Sequence, residues 1–318
     1  MTHALELRDV TKQFVGHLAV DRLSLAVPSG TIYGILGPNG AGKSTTLRMV
    51  MNIIARDSGS ISMLGSDPAL DRAVLRRVGY LPEERGLYKK MPVLDLIVFF
   101  GALRGMSESS AREQGVRWLE KMGLAEWQRA RVETLSKGMQ QKVQFISTVI
   151  HAPDLLILDE PASGLDPVNQ EVLRDTILGA RREGRTVVFS THNMDQAEQL
   201  CDFVCIIAQG RKVLDGALGE IRRSHASHKY RVVFESMTPG VLALMSNGAV
   251  PGGGTRVGDA WELDLQTQED VGRALAALAS ADAAVARFEH VGPSLHQIFV
   301  ERVGHAEIAT RRPEANRA

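Results

Sequence analysis

Five short apolar runs punctuate the first two-thirds of the chain: TIYGIL (31–36), RRVGYLP (76–82), DLLILD (154–159), TVVFS (186–190) and FVCIIA (203–208). None alternates apolar with polar, which is the pattern of strands covered on both faces. The segments between them are long enough for crossover helices, so the pattern predicts an α/β core with a parallel sheet. Two earlier runs, ALELRDVTKQF (4–14) and LAVDRLSLAV (18–27), do alternate and precede any helix, which predicts an antiparallel β layer at one edge. Between Leu81 and Asp154 apolar positions recur at helical spacing, as at Val143, Ile146 and Ile150, and predict a helical subdomain over about 88–150.

The pattern changes at RRSHASHK (222–229), a short polar segment read as a linker. Beyond it lie a strand in KYRVVFES, a helix around Val241–Ser246, and a Gly-rich turn at Pro251–Gly254. A strand in AWELDLQ, a helix near Glu269–Ala279 and a strand near Val285–Phe288 follow. These elements are read as the β-α-β-β-α-β order of a small α+β ferredoxin-like domain. A last helix puts Leu295, Ile298, Phe299 and Val303 on one face, and the tail from Gly304 has too little apolar content to pack. The expected organisation is a domain at 1–221, a linker at 222–229, an accessory domain at 230–303 and a disordered tail at 304–318.

Composition narrows the function classes. The 318 residues are 44% hydrophobic and 23% charged, and the 37 Lys and Arg equal the 37 Asp and Glu. A zero net charge gives no electrostatic footprint for nucleic acid, so no nucleic-acid partner is expected. No apolar run approaches the roughly 18 residues of a membrane span, and MTHALELRDV does not have the form of a secretion signal. The expectation is a cytoplasmic protein. Cys201 and Cys205, at a helix end running into a strand, are read as reduced buried thiols.

The strongest chemical signal is GPNGAGKST, residues Gly37, Pro38, Asn39, Gly40, Ala41, Gly42, Lys43, Ser44 and Thr45. It has the spacing G-x-x-x-x-G-K-[ST], follows a predicted strand and opens an apolar helix. Backbone N–H groups at that helix start can surround a polyphosphate, Lys43 can bridge its β- and γ-phosphates, and the Ser44 hydroxyl can ligate Mg²⁺. In LLILDEP, Asp159 and Glu160 fall at the carboxyl end of a buried strand, where ligands collect in open parallel sheets. Asp159 is placed to hold Mg²⁺, and Glu160 to polarise the water that attacks the γ-phosphate.

Three further stretches, LSKGMQQK (135–142), PASGLDP (161–167) and STHNMDQAE (190–198), complete a set. Together with the phosphate loop and the D-E pair, in this order, they resemble the ATP-binding subunits of ABC transporters over about Leu5–Asp215. The resemblance implies a P-loop ATPase fold that binds ATP and Mg²⁺ and hydrolyses ATP to drive integral membrane permease subunits. It would lie on the cytoplasmic face of the membrane through those subunits. It also implies that two copies close head to tail as a homodimer, with Ser136 and Gly138 of one copy on the γ-phosphate held by the other. Asp166 would then couple the two sites, and His192 would orient the attacking water. Phe14 falls where the family stacks an aromatic ring on adenine.

Departures from the family pattern are specific. Lys137 replaces the first signature glycine, and Met139 stands where glutamine is usual, with Gln140 after it. In GYLPEERGLYKK (79–90), Glu83 aligns with a glutamine that touches the metal and the attacking water. A carboxylate there adds negative charge to a site already holding Asp159, Glu160 and a triphosphate. Such P-E-E-R-G loops, with L-S-K-G signatures and an extra C-terminal domain, resemble the sodium-extrusion and drug-export ATPases of bacteria. A soluble ABC ATPase acting on ribosomes or DNA is the alternative, and it fits less well because this chain has one cassette and no long coiled coil. A small-molecule phosphotransferase would need an acceptor pocket that no motif supplies.

Overall fold

The protein opens with a hairpin of β1 (His3–Phe14) and β2 (His17–Pro28), followed by β3 (Ile32–Leu36), α1 (Lys43–Val50), β4 (Ser58–Met63) and β5 (Val78–Leu81). Helices α2 (Val93–Leu103), α3 (Glu108–Lys121) and α4 (Lys137–Val149) come next. They lead to β6 (Leu155–Asp159), α5 (Pro167–Arg182), β7 (Thr186–Thr191), α6 (Met194–Leu200), β8 (Phe203–Ala208) and β9 (Arg211–Ala217). This computed structural model describes residues 2–84, 86–225, 228–248, 250–281 and 283–310, with side chains described as far as 302.

The central sheet runs β5-β6-β7-β3-β8-β9, parallel except for β9. Every residue of β3, β6 and β7 is buried, because side chains alternate between two separate cores. Tyr33, Ile35, Ile157 and Val188 join Leu5, Leu7, Leu23 and Leu47 on one side. Ile32, Leu156, Leu158 and Phe189 join Leu96, Ile146, Leu173 and Ile177 on the other. Each such side chain stabilises the fold by about 1.5–3 kcal/mol through burial. The helical apolar spacing read at Val143, Ile146 and Ile150 buries all three in that second core.

The antiparallel layer is a sheet of its own, ordered β2-β1-β4, whose inner residues share the first core, rather than an edge extension of the parallel sheet. The polar run SGS at the start of β4 and the exposed residues of β9 hid these two strands from the pattern. Cys205 is buried and Cys201 half-buried, both are free, and burial pushes both thiols up.

The order β6-β7-β3 decides where the chemistry falls. Leu36 pairs with Thr191 and Asp159 with Ser190, so three strands end side by side. The phosphate loop, the D-E pair and His192 leave the sheet at that common edge.

Contacts divide the chain into a first unit of residues 2–218 together with 302–310, and a second spanning Gly219–Glu301. Helix α7 (Leu218–Ser224) precedes β10 (Lys229–Phe234), α8 (Pro239–Ser246), β11 (Gly254–Val257), β12 (Ala260–Asp264), α9 (Gln268–Ser280) and β13 (Val285–His290). The sheet order β11-β12-β10-β13, antiparallel throughout, is the ferredoxin-like arrangement, with Val232, Trp261, Leu263, Ala274 and Leu278 in its core.

Two boundaries differ from the sequence reading. Arg222, Arg223 and Ser224, read as linker, close α7, and His225 holds its end through a 2.9 Å contact from Nδ1 to the Ile221 carbonyl. Ala226 and Ser227 lie outside the described residues. The tail expected from Gly304 is helical as far as Thr310, because α10 (Leu295–Thr310) continues through Ala306, Glu307 and Ala309, good helix formers with no proline before Pro313. Leu295 and Ile298 are buried. The side chain of Val303 and residues 311–318 lie outside the described set.

Candidate nucleotide site

The loop from Gly37 to Gly42 closes tightly because the glycines at its two ends occupy places no side chain fits. Gly42 precedes α1 with φ 102°, and a Cβ there would lie 2.4 Å from the Ala19 carbonyl oxygen. At Gly37, φ is 151° and a Cβ would lie 2.1 Å from the carbonyl oxygen of Ile207. Lys43, the first residue of α1, is only 5% exposed. Its Nζ donates to the carbonyls of Gly37 at 2.8 Å and Pro38 at 3.1 Å, and lies 3.6 Å from Glu160 Oε1. A buried ammonium is thereby held over the loop by neutral acceptors and one carboxylate.

The adjacent carboxylates diverge. Asp159 is fully buried at the end of β6, and its Oδ1 accepts from Ser44 Oγ at 3.0 Å and from Ser190 Oγ at 2.5 Å. Its Oδ2 is buried with no hydrogen-bond partner. An orphan carboxylate oxygen is costly unless a cation or donor meets it. Glu160 takes the left-handed region at φ 47°, which turns the chain sharply and sends its side chain another way. Its N–H donates to Ser190, at 3.2 Å to the carbonyl and 3.1 Å to Oγ. Its Oε1 lies 3.0 Å from Nδ1 of His192, whose ring is largely exposed. Beside this pair, Tyr80 is pushed up to about 12 by burial first and by the Asp159 carboxylate second.

A cavity of about 280 Å³ opens over the loop, lined by Phe14, His17, Ala19, residues 39–45, Glu83 and Glu160. Phe14 ends β1 as a half-exposed ring, with Lys12 Nζ 5.4 Å from its centroid. Glu83 is exposed on the loop after β5. A second hollow of about 530 Å³ shares Glu160 and adds Ser163, Gly164, Thr191 and His192.

Three residues named from the sequence are elsewhere on the surface and line neither hollow. Ser136 caps α4, accepting from the Met139 N–H at 3.2 Å. Around Gly138 an added Cβ would meet nothing within 4 Å, so this helix start is open. Asp166 caps α5, accepting from the Asn169 N–H, and this bond holds its carboxyl below the usual range. Ser190 and His17 were missed. Ser190 lies two places before His192 as a polar residue closing an apolar run, a signal that was available; His17 has no such signal.

Residues 20–163 match the family described as ABC transporter, and residues 216–303 match the C-terminal domain of ATP-binding proteins like DrrA1-3. The chain is 40% identical over 300 residues to YhaQ of Bacillus subtilis, an uncharacterised ABC transporter ATP-binding protein, covering 94% of this chain and 98% of that one. The chain belongs to the ABC transporter ATP-binding proteins. Nod factor export ATP-binding protein I of Burkholderia lata is 37% identical over 214 residues, 67% of this chain and 70% of its own. A solved ATP-binding subunit of an ABC transporter superposes with a TM-score of 0.65 at 29% identity, covering 70% of this chain and 93% of that chain. As an ABC ATP-binding protein the chain binds ATP and hydrolyses it, and the cavity over Lys43 is where the phosphate loop meets solvent. No helix among the described residues is long and apolar enough to cross a membrane.

Proposed function

We propose that this ABC ATP-binding protein powers a membrane exporter by closing, as a pair of identical copies, around two ATP molecules. The observation that carries the reading is the division of the nucleotide groups. Lys43, Ser44, Asp159, Glu160 and His192 converge on one edge of the sheet, while Ser136 and Gly138 open to solvent on α4. An open helix start with an exposed capping serine and N–H groups suits an anion carried by another molecule. Asp166, capping α5 beside the S-G-L-D turn, would lie across the same closure. Export is supported by the likeness to Nod factor export protein I and by the DrrA-like C-terminal domain.

Within one site, Phe14 would stack on the adenine and the N–H groups of residues 37–45 would surround the phosphates. Lys43 would move from its carbonyl partners to the β- and γ-phosphates. Glu160 Oε1 would take the proton of the attacking water, while His192, bonded to that carboxylate through Nδ1, would hold the water and the γ-phosphate in place. The orphan Asp159 Oδ2 and the neighbouring Ser44 hydroxyl form an all-oxygen set that fits Mg²⁺, and Glu83 lines the cavity that Ser44 also lines. Bound there, Mg²⁺ would neutralise charge on the phosphates.

Glu83→Gln should raise the Mg²⁺ concentration for half-maximal hydrolysis by about tenfold, because it removes a carboxylate and keeps the shape. A Mg²⁺ titration of ATP turnover checks this; an unchanged midpoint and rate would make Glu83 a tolerated substitute for glutamine. The transport reading is tested by isolating the tagged protein from gently solubilised membranes. An integral membrane protein should co-purify, whereas recovery wholly with ribosomes or nucleoid in low salt would favour the soluble alternative.

A further inference from the structure

The carbonyls of Tyr80, Pro82 and Glu84, on the segment that carries Glu83, are all held by side chains of α4. Thr148 Oγ1 donates to the Tyr80 carbonyl at 3.3 Å. Gln144 Nε2 donates to both the Pro82 and the Glu84 carbonyl, at 3.3 Å each. Two side chains of α4 thus hold this segment at three carbonyls, from the end of β5 through the bend that carries Glu83. Gln144 is 5% exposed, its Oε1 is buried without a hydrogen-bond partner, and the residue lines a cavity of about 120 Å³ with Tyr80, Pro82, Arg104 and Thr148. Flipping the amide would set Oε1 against two carbonyl oxygens, so the donors can face only the Glu83 loop.

We propose that Gln144 is a positioning residue that ties Glu83 to the signature end of α4. Ser136 caps the same rigid helix and Gly138 lies in its first turn, about 12 and 9 Å along the axis from Gln144 at 1.5 Å per residue. When a second copy engages Ser136, any shift of α4 moves the carbonyls on both sides of Glu83. Engagement of one site is thereby transmitted to the acidic group in the nucleotide cavity of the same chain. The proposal rests on the roles given above to Glu83 and Ser136.

The test uses the full chain. Gln144→Leu keeps the volume and removes both donors. The hydrogen-bonded backbone amides that flank the loop, in β5 and at Met91, should exchange about tenfold faster with deuterium, while those of α4 keep their protection. ATP turnover should fall about tenfold with KM for ATP within about twofold, the split expected when binding is intact and a reacting group is misplaced. Because Gln144 acts through Glu83, adding Gln144→Leu to Glu83→Ala should slow turnover no further. Unchanged exchange at these flanking amides, unchanged turnover, or a fully additive loss in the double variant would each overturn the proposal. Should Gln144→Leu fail to fold, Gln144→Asn, which withdraws the donor by one methylene, carries the same three readouts. Exchange reads the grip by itself, so full activity in Glu83→Ala would remove the role of Glu83 and still leave the grip measured.

Discussion

Lys43→Ala is expected to weaken ATP binding by roughly thirty-fold to several thousand-fold and to abolish the ATP-dependent pairing of two copies. Nζ is buried, donates to the Gly37 and Pro38 carbonyls and lies 3.6 Å from Glu160 Oε1. Removing it deletes a buried side-chain cation held at the phosphate loop and leaves the Glu160 carboxylate facing a triphosphate with its charge unrelieved. Truncating a buried, hydrogen-bonded charge at a binding site costs about 2–5 kcal/mol, and each 1.4 kcal/mol is tenfold in affinity. Titration with a fluorescent ATP analogue and scattering mass with and without ATP check both parts. A variant that still pairs in response to ATP would show that the lysine only braces the loop.

Glu160→Gln should behave oppositely, keeping ATP while lowering turnover by roughly 10² to 10⁴, the range for losing a general base. Glutamine keeps the shape and still reaches His192 Nδ1 and the neighbourhood of Lys43, so the pocket persists while the proton acceptor is gone. ATP-bound pairs should accumulate, because hydrolysis is the step that releases them. Single-turnover ATP cleavage is the measurement. If the rate were unchanged, the base would be another group, and Glu83 lines the same cavity.

The chemistry of this site was legible in the sequence wherever geometry is local. The phosphate loop needs only a strand, two crowded glycines and a helix start, and all are contiguous between Ile32 and Val50. The D-E pair was legible because four apolar residues place it at a strand end. What the pattern did not disclose depends on chain segments far apart. The partnership of Asp159 with Ser190 requires the register of β6 on β7, and the grip of Gln144 on the Glu83 loop requires α4 to pack beside β5. Strand β4 was missed because its outer half is polar and exposed, with only Ile61 and Met63 turned to the core. The tail failed for another reason: apolar content measures packing, whereas α10 extends past Gly304 on helix propensity.

The central claim is that the site is completed by a second copy, and Ser136→Arg in a Glu160→Gln background tests it most directly. Ser136 is exposed and lines neither hollow of its own chain, so the bulky charge should leave ATP binding to the single copy within a few-fold. Loss of the α4 cap costs about 1 kcal/mol of stability, which thermal melting monitors. Glu160→Gln alone should double its scattering mass on adding ATP with Mg²⁺ and not with ADP, and the added Ser136→Arg should hold the mass at that of one copy. Doubling that persists with Ser136→Arg, or ATP binding that disappears with it, would contradict a site shared head to tail between two chains.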